Sequence, residues 1–357
     1  MKILDWYILK KFLGAYVFVV FIIVSIVVII NYTDYNDSFM KHNLGFREIG
    51  GYYLTYIPYI ASLISPITVF IAVVFITSKL AQHTEIIAML SSGMSFPRLM
   101  RPYFIGALLI ALVFFYFAGW VIPDSNKSRV AFELQYLKTP YINTDRDIHI
   151  KIGPESYLYM QNFNNQANVG YRFTLETIVG TVVKNRLSSQ RIEWQEETQS
   201  WKILNWNLRR FDGMNEEYTT GFEIDTVLRI HPRDFDSDYG RYETLTMNEL
   251  TEYIEELRMR GADNIRIYEI EQYIRYMSPF AAFVLTFIGL IVSSRKQRGG
   301  VGFQIALGFL LAFIYIILYI FARSMAEAGT THPLVAVWIP NIVFSLIGLF
   351  LYKTVPR

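Results

Sequence analysis

The run FLGAYVFVVFIIVSIVVII, Phe12 to Ile30, holds 19 residues without a charge, close to the roughly 20 that carry a helix across a hydrocarbon core about 30 Å thick. It is too long for the apolar part of a secretion signal, and it ends in Asn31-Tyr32 with no small-residue cleavage site, so it reads as a retained anchor. Five further stretches match it. The uncharged segment Ile49–Ser78 houses a span near Ile57–Thr77, and Pro102–Pro123, Tyr276–Ser294, Gly299–Ala322 and Leu334–Tyr352 complete a set of six. Backbone in lipid has to satisfy its own hydrogen bonds, so all six are read as helices.

The rest of the composition agrees. The 357 residues are 53% hydrophobic and 16% aromatic but only 18% charged, where a soluble domain carries about 25% charged residues. Net charge is +2, from 33 basic and 31 acidic side chains, which supplies no broad positive field for nucleic acid. There is no cysteine, and this excludes disulfides, thiolate metal sites and cysteine nucleophiles.

Charge is concentrated in one block. Residues 123–270 hold 18 basic and 24 acidic side chains, whereas the flanking residues hold 15 and 7. A soluble domain is therefore inserted between the third and fourth spans. Short loops set the orientation. Lys2, Lys10, Lys11, Lys79, Arg98, Arg101, Arg295, Lys296, Arg298, Lys353 and Arg357 fall on the side of the two termini, against Lys41, Arg47 and Arg323 in the opposite short loops. The excess of Lys and Arg predicts cytoplasmic termini and an outward-facing insertion.

The insertion reads as β. Ile148, Ile150 and Ile152 alternate with His149 and Lys151, and strand-like runs recur at Ser156–Phe163, Val169–Val183, Ser188–Glu193, Trp201–Phe211 and Thr220–Ile230, separated by turn residues. A sandwich or jelly-roll-like domain is the expected form. Its last element changes period. Thr246 and Glu249 have capping-box spacing, Leu250, Tyr253, Ile254 and Leu257 share a helical face, and Gly261 is placed as the C-cap. The expected division is 1–123 for spans one to three, 124–245 for the β domain, 246–270 for a linker helix and 271–357 for spans four to six.

Catalytic signatures are missing from the sequence. There is no G-x-x-x-x-G-K-[ST] phosphate loop, no H-E-x-x-H and no G-x-S-x-G, and the five histidines are scattered. No catalytic or metal-binding residue is assigned, and no cofactor is expected. The residues point to binding and conformational work. Glu271 with Arg275, and Arg323 with Glu327, are spaced as i,i+4 pairs at a membrane boundary, either as helix-end pairs or as a polar lining for a charged headgroup.

The loop at 79–101 is the most informative short segment. Thr84 is placed to cap a short helix, Glu85 falls in its first turn, Ile86, Met89 and Leu90 share one face, and Gly93 ends it. Such a helix either docks into a groove on a soluble partner or lies on the membrane surface; the residues leave both open.

Several segments carry a resemblance: Leu4-Asp5-Trp6-Tyr7-Ile8, Leu80-Ala81-Gln82 with Thr84-Glu85-Ile86 through Ser92-Gly93, and Gly119-Trp120-Val121-Ile122-Pro123, together with the helix before span four. Over essentially its whole length the chain resembles the LptF/LptG permeases of lipopolysaccharide export. The resemblance implies an α-helical polytopic protein with six transmembrane helices and a periplasmic jelly-roll-like insertion, in the inner membrane of a Gram-negative bacterium. It implies a second LptF/LptG-type permease, a cytoplasmic ABC ATPase dimer that binds the ATP, and a bridge protein of LptC/LptA type as partners. Lipopolysaccharide would enter a cavity bordered by spans one and five and leave through the β domains. Glu85, Ile86, Met89 and Leu90 would form the ATPase coupling helix. Members often carry a basic residue near the outer end of span one. Here that place is Asn31, with Asp34 and then Lys41 following, so Asn31, Asp34, Lys41, Arg275 and Arg323 are the substrate-path candidates. The competing readings are a subunit of another lipid or lipoprotein exporter, and an ATPase-independent assembly scaffold.

Overall fold

The computed structural model describes residues 3–138, 143–213, 215–228, 230–235, 239–262, 264–294 and 300–353. The basic loop of Arg295, Lys296 and Arg298, the start of span five at Gly299, and Arg357 lie outside the described residues. Two compact units are formed. One comprises Met1–Leu137, Glu243–Leu250 and Arg266–Arg357, and the other Lys138–Tyr242 and Thr251–Ile265.

Among the described residues, the first unit contains six helices long and apolar enough to cross a membrane. They include α1 (Ile3–Lys41) and α2 (Phe46–Gln82); the short α3 (Glu85–Ser91) follows, then α4 (Phe96–Tyr116) and α5 (Ile122–Phe132). The helix of the third span continues past Pro123. This proline sits in the first turn of α5, and a π-type turn over Phe117–Val121 carries the helix past it. The wider turn relieves the clash between a proline ring and the carbonyl four residues back. A second π-type turn, Glu133–Leu137, follows α5. Beyond the β unit come α6 (Arg241–Thr244), α7 (Met247–Arg260), α8 (Ile265–Ser293), α9 (Gly300–Glu327) and α10 (Pro333–Tyr352).

Apolar packing makes α2 and α8 the centre of the membrane unit. Phe12 and Ile8 of α1 pack with Val69 and Leu80 of α2 and with Leu99 and Tyr103 of α4. Phe70 and Val74 of α2 form a second cluster with Leu285, Ile288, Tyr315 and Phe344 from α8, α9 and α10. Gly106 allows α4 to approach α1, since a Cβ there would stand 2.6 Å from the Phe12 ring.

The second unit holds β1 (Arg146–Lys151), β2 (Ser156–Asn164), β3 (Val169–Val179), β4 (Val182–Gln195), β5 (Ser200–Asp212) and β6 (Asn215–Thr226). They form one antiparallel sheet in sequence order, β1 to β6. The expected run Val169–Val183 is two strands, because Gly180, at φ +64°, turns the chain between β3 and β4. β4 then absorbs the expected Ser188–Glu193. Leu158 opposes Leu175, Leu175 opposes Leu187 and Leu187 opposes Leu208, so alternation keeps one face apolar. Met160, Phe163, Phe173, Trp201 and Ile203 build the buried core of that face, and the Trp201 indole donates to the Ile230 carbonyl at 2.9 Å.

The capping box of α7 forms as the sequence indicates. The Thr246 N–H donates to Glu249 Oε2 at 2.8 Å, and the Glu249 N–H reaches Thr246 Oγ1 at 3.4 Å. Gly261, at φ +66°, closes the helix.

Candidate functional site

Two polar constellations stand at opposite ends of the membrane unit. The first surrounds α3. Thr84 does not cap this helix as expected. It adopts φ +61°, and its hydroxyl donates to the adjacent His83 carbonyl at 2.6 Å and accepts from no N–H of the helix. Gly93, at φ +88°, does terminate the segment. Glu85 is half-exposed, and its carboxylate is held from α1: the Tyr7 hydroxyl donates to Oε2 at 3.0 Å and the Lys11 ammonium stands 3.8 Å from Oε1. Lys11 also contacts the Tyr7 hydroxyl and lies over its ring. A second tie runs beside it, where Arg98 in the first turn of α4 donates to the buried Asp5 of α1 at 2.7 Å.

The shared face of α3 points the other way from what docking requires. Ile86 is 1% and Met89 8% exposed, both within the cluster that contains Ile8, Phe12, Leu80 and Leu99, and Leu90 is half-buried against it. Ile86, Met89 and Leu90, whose shared face the sequence left open to a partner or to the membrane surface, anchor the loop to its own bundle. Burying apolar area at about 25 cal/mol per Å² favours that arrangement wherever a neighbouring core is at hand. The surface of α3 left uncovered is Ile87, 47% exposed, with Ala88 and Ser91, beside the half-exposed Glu85.

The second constellation is centred on Arg129 of α5. Its guanidinium donates to Glu133 Oε1 at 2.8 Å, to Asn126 Oδ1 at 2.9 Å and to Glu243 Oε2 of α6. Tyr52 and Tyr59 of α2 donate to Glu133 and Glu243 at 3.2 and 3.1 Å, and the guanidinium lies 3.9 Å from the Tyr59 ring centroid. Burial pushes the Glu243 carboxyl above the usual carboxylate range, although Arg129 pulls it back. Next to this network is a cavity of about 400 Å³, lined by Tyr59, Asn126, Glu243, Glu271, Arg275, Tyr319 and Arg323 over an apolar floor.

Of the substrate-path candidates, Arg275 and Arg323 are brought to this cavity. Both form the pairs their spacing indicated: Arg275 Nε donates to Glu271 at 3.0 Å and Arg323 Nε to Glu327 at 2.8 Å, while Arg275 also donates to the Leu245 carbonyl at 2.6 Å. Asn31, Asp34 and Lys41 do not line it. Asn31 accepts from the Tyr53 hydroxyl at 3.1 Å, and Asp34 and Lys41 are exposed on α1. Sequence reasoning missed Tyr7 as a ligand of Glu85 and missed the Arg129 network altogether. The i,i+4 spacings Tyr7–Lys11 and Arg129–Glu133 were the available signal.

The membrane spans differ in how much of their surface is covered. The most apolar windows of α2 and α8 are 61% and 56% buried, whereas those of α1 and of span five are only 17% and 22% buried. Val17, Phe18, Phe21, Ile26 and Ile29 of α1 and Phe309, Leu310, Phe313, Ile317 and Phe321 of α9 are exposed.

The sequence profile of the lipopolysaccharide export system permease LptF/LptG matches residues 6–354. The chain belongs to the LptF/LptG family. No curated protein sequence matches it significantly. As an LptF/LptG permease it is a multi-pass membrane transport subunit, and its place is in lipopolysaccharide export. The Glu85 loop and the Arg129 network are thus features of a transporter.

Proposed function

We propose that this LptF/LptG permease pairs with a second permease of its kind in the inner membrane, and that lipopolysaccharide is extracted between them by the work of a separate cytoplasmic ABC ATPase dimer. The observation that carries the reading is the uncovered apolar surface of α1 and α9, set beside the covered α2 and α8. Two spans, far apart in sequence, are left facing outward, and this is the surface that a partner permease and the acyl chains of a lipid require. Drawing several acyl chains out of a bilayer exposes apolar area at about 25 cal/mol per Å², so the path has to stay apolar and the step has to be driven.

Further features support the rest of the reading. The basic short loops support a cytoplasmic position for α3, where the half-exposed Glu85 carboxylate would offer a charge for a cationic groove of the ATPase. On the periplasmic side, β6 is an edge strand with Tyr218, Phe222 and Ile224 exposed, open to strand addition by a jelly-roll bridge protein.

Affinity purification in mild detergent, followed by mass spectrometry of proteins and lipids, tests the reading. A soluble ATPase, a second six-span subunit and lipopolysaccharide are the expected companions. Glu85→Lys should remove the ATPase while leaving the membrane unit folded. Recovery of another lipid class, or of no ATPase, would favour the other exporters or the scaffold.

A further inference from the structure

The polar side chains that hold Glu85 come from the helix that exposes the apolar path. Tyr7 and Lys11 reach the two carboxylate oxygens of Glu85 from α1. On the other flank of the loop, Arg98 grips Asp5, also of α1. Beneath both ties, Ile86 and Met89 share a core with Ile8 and Phe12. α3 therefore rides on the first three turns of α1 and cannot be displaced without loading them.

α1 is built to carry that load. It is one continuous helix of 39 residues with no internal proline, about 58 Å long at 1.5 Å per residue. α2, by contrast, carries Pro58 and Pro66 within its length. The N-terminal turns of α1 are fastened to the loop, and its middle presents the exposed side chains Val17, Phe18, Phe21 and Ile26.

We propose that Tyr7 and Lys11 are positioning residues that latch Glu85 to α1, so that a pull of the ATPase on Glu85 is delivered to span one and moves the apolar path. The inference rests on the coupling role assigned to Glu85 under the proposed function. The contacts are half-exposed, and exposed ion pairs contribute little to stability. Their value lies in direction: two donors on one helix fix which way the carboxylate faces and which helix feels its displacement.

The test uses the assembled complex of permeases and ATPase in proteoliposomes containing lipopolysaccharide. It compares the double variant Tyr7→Phe/Lys11→Met with Lys11→Arg and Glu85→Lys. Three quantities are read: ATPase copurification, ATP hydrolysis rate, and lipid extracted per ATP consumed. The double variant should keep the ATPase and hydrolyse ATP within about twofold of the parent, while extraction per ATP falls about tenfold, the order expected for losing the two half-exposed contacts to the carboxylate. Lys11→Arg, which keeps the cation, should restore extraction to within about twofold. A structural defect would lower all three readouts and the melting temperature together. Unchanged extraction per ATP in the double variant overturns the latch, as does loss of the ATPase, which would make Tyr7 and Lys11 docking supports only. Glu85→Lys reports separately on the underlying reading: an ATPase retained there removes the coupling role itself, whatever the double variant does.

Discussion

The two ends of the membrane unit handle charge in opposite ways. At the α3 end, Glu85, Tyr7 and Lys11 meet in partial contact with solvent above an apolar anchor. At the other end, Arg129, Glu133 and Asn126 are almost wholly buried, with Tyr52, Tyr59 and Glu243 closing the network. A half-exposed carboxylate can exchange partners at little expense, because water replaces whatever leaves. A buried guanidinium cannot, since removing either partner strands a charge. One end is suited to repeated engagement and release. The other fastens α2, α5 and α6 into a fixed frame.

That contrast is breakable at graded cost. Arg129→Met should have the largest effect, because it takes the guanidinium away from the buried carboxylates of Glu133 and Glu243. A loss of about 3–5 kcal/mol is expected, read as a lower melting temperature of the detergent-purified protein, with Arg129→Lys recovering part of it. The anchor under α3 comes next. Ile86→Ala should cost about 2–5 kcal/mol, while Ile87→Ala, one residue away on the exposed face, should stay within about 0.5 kcal/mol. Equal effects at the two positions would contradict the inward orientation of the helix. Gly106→Ala should cost about 1–3 kcal/mol by forcing its new methyl against the buried Phe12 ring.

A smaller loss than at the anchor is expected at the start of α7, where Thr246→Ala should remove about 1 kcal/mol of capping. This contribution depends on pH. The Thr246 N–H donates to the Glu249 carboxylate and lowers its pKa below the ordinary 4.5. A depressed acid stabilises the fold above its ordinary value, and the benefit fades as pH falls through the lowered one. The stability gap between parent and Glu249→Gln should therefore be full at neutral pH and close in acid; a gap that widened in acid would contradict the capping geometry.

The same contrast marks what was legible in the sequence. The spans could be read because each needs only a run without charge, and the strands because alternation is local. The Val169–Val183 run concealed a turn because Gly180, which turns the chain, looks no different from Gly170, which lies inside β3, whereas the α7 cap was visible in four consecutive letters. The face of α3 stayed open for a physical reason: an apolar stripe has the same spacing whether it meets a partner, a membrane surface or its own bundle, and the packing with Ile8, Phe12 and Leu99 is not local in sequence. The Arg129 network was hidden because Glu243 lies 114 residues from Arg129, and nothing local announces the meeting.

The order of the sheet has a further consequence, for how the chain is made. Every strand from β1 to β6 pairs with the strand next to it in sequence, so each hairpin can close as soon as its second half has been synthesised, with only a short loop to order. The membrane unit has no such option, because Phe70 and Val74 of α2 find partners only when α8, α9 and α10 exist. Lying midway along the chain, the meander can reach its native pairing while the helical bundle is still half built.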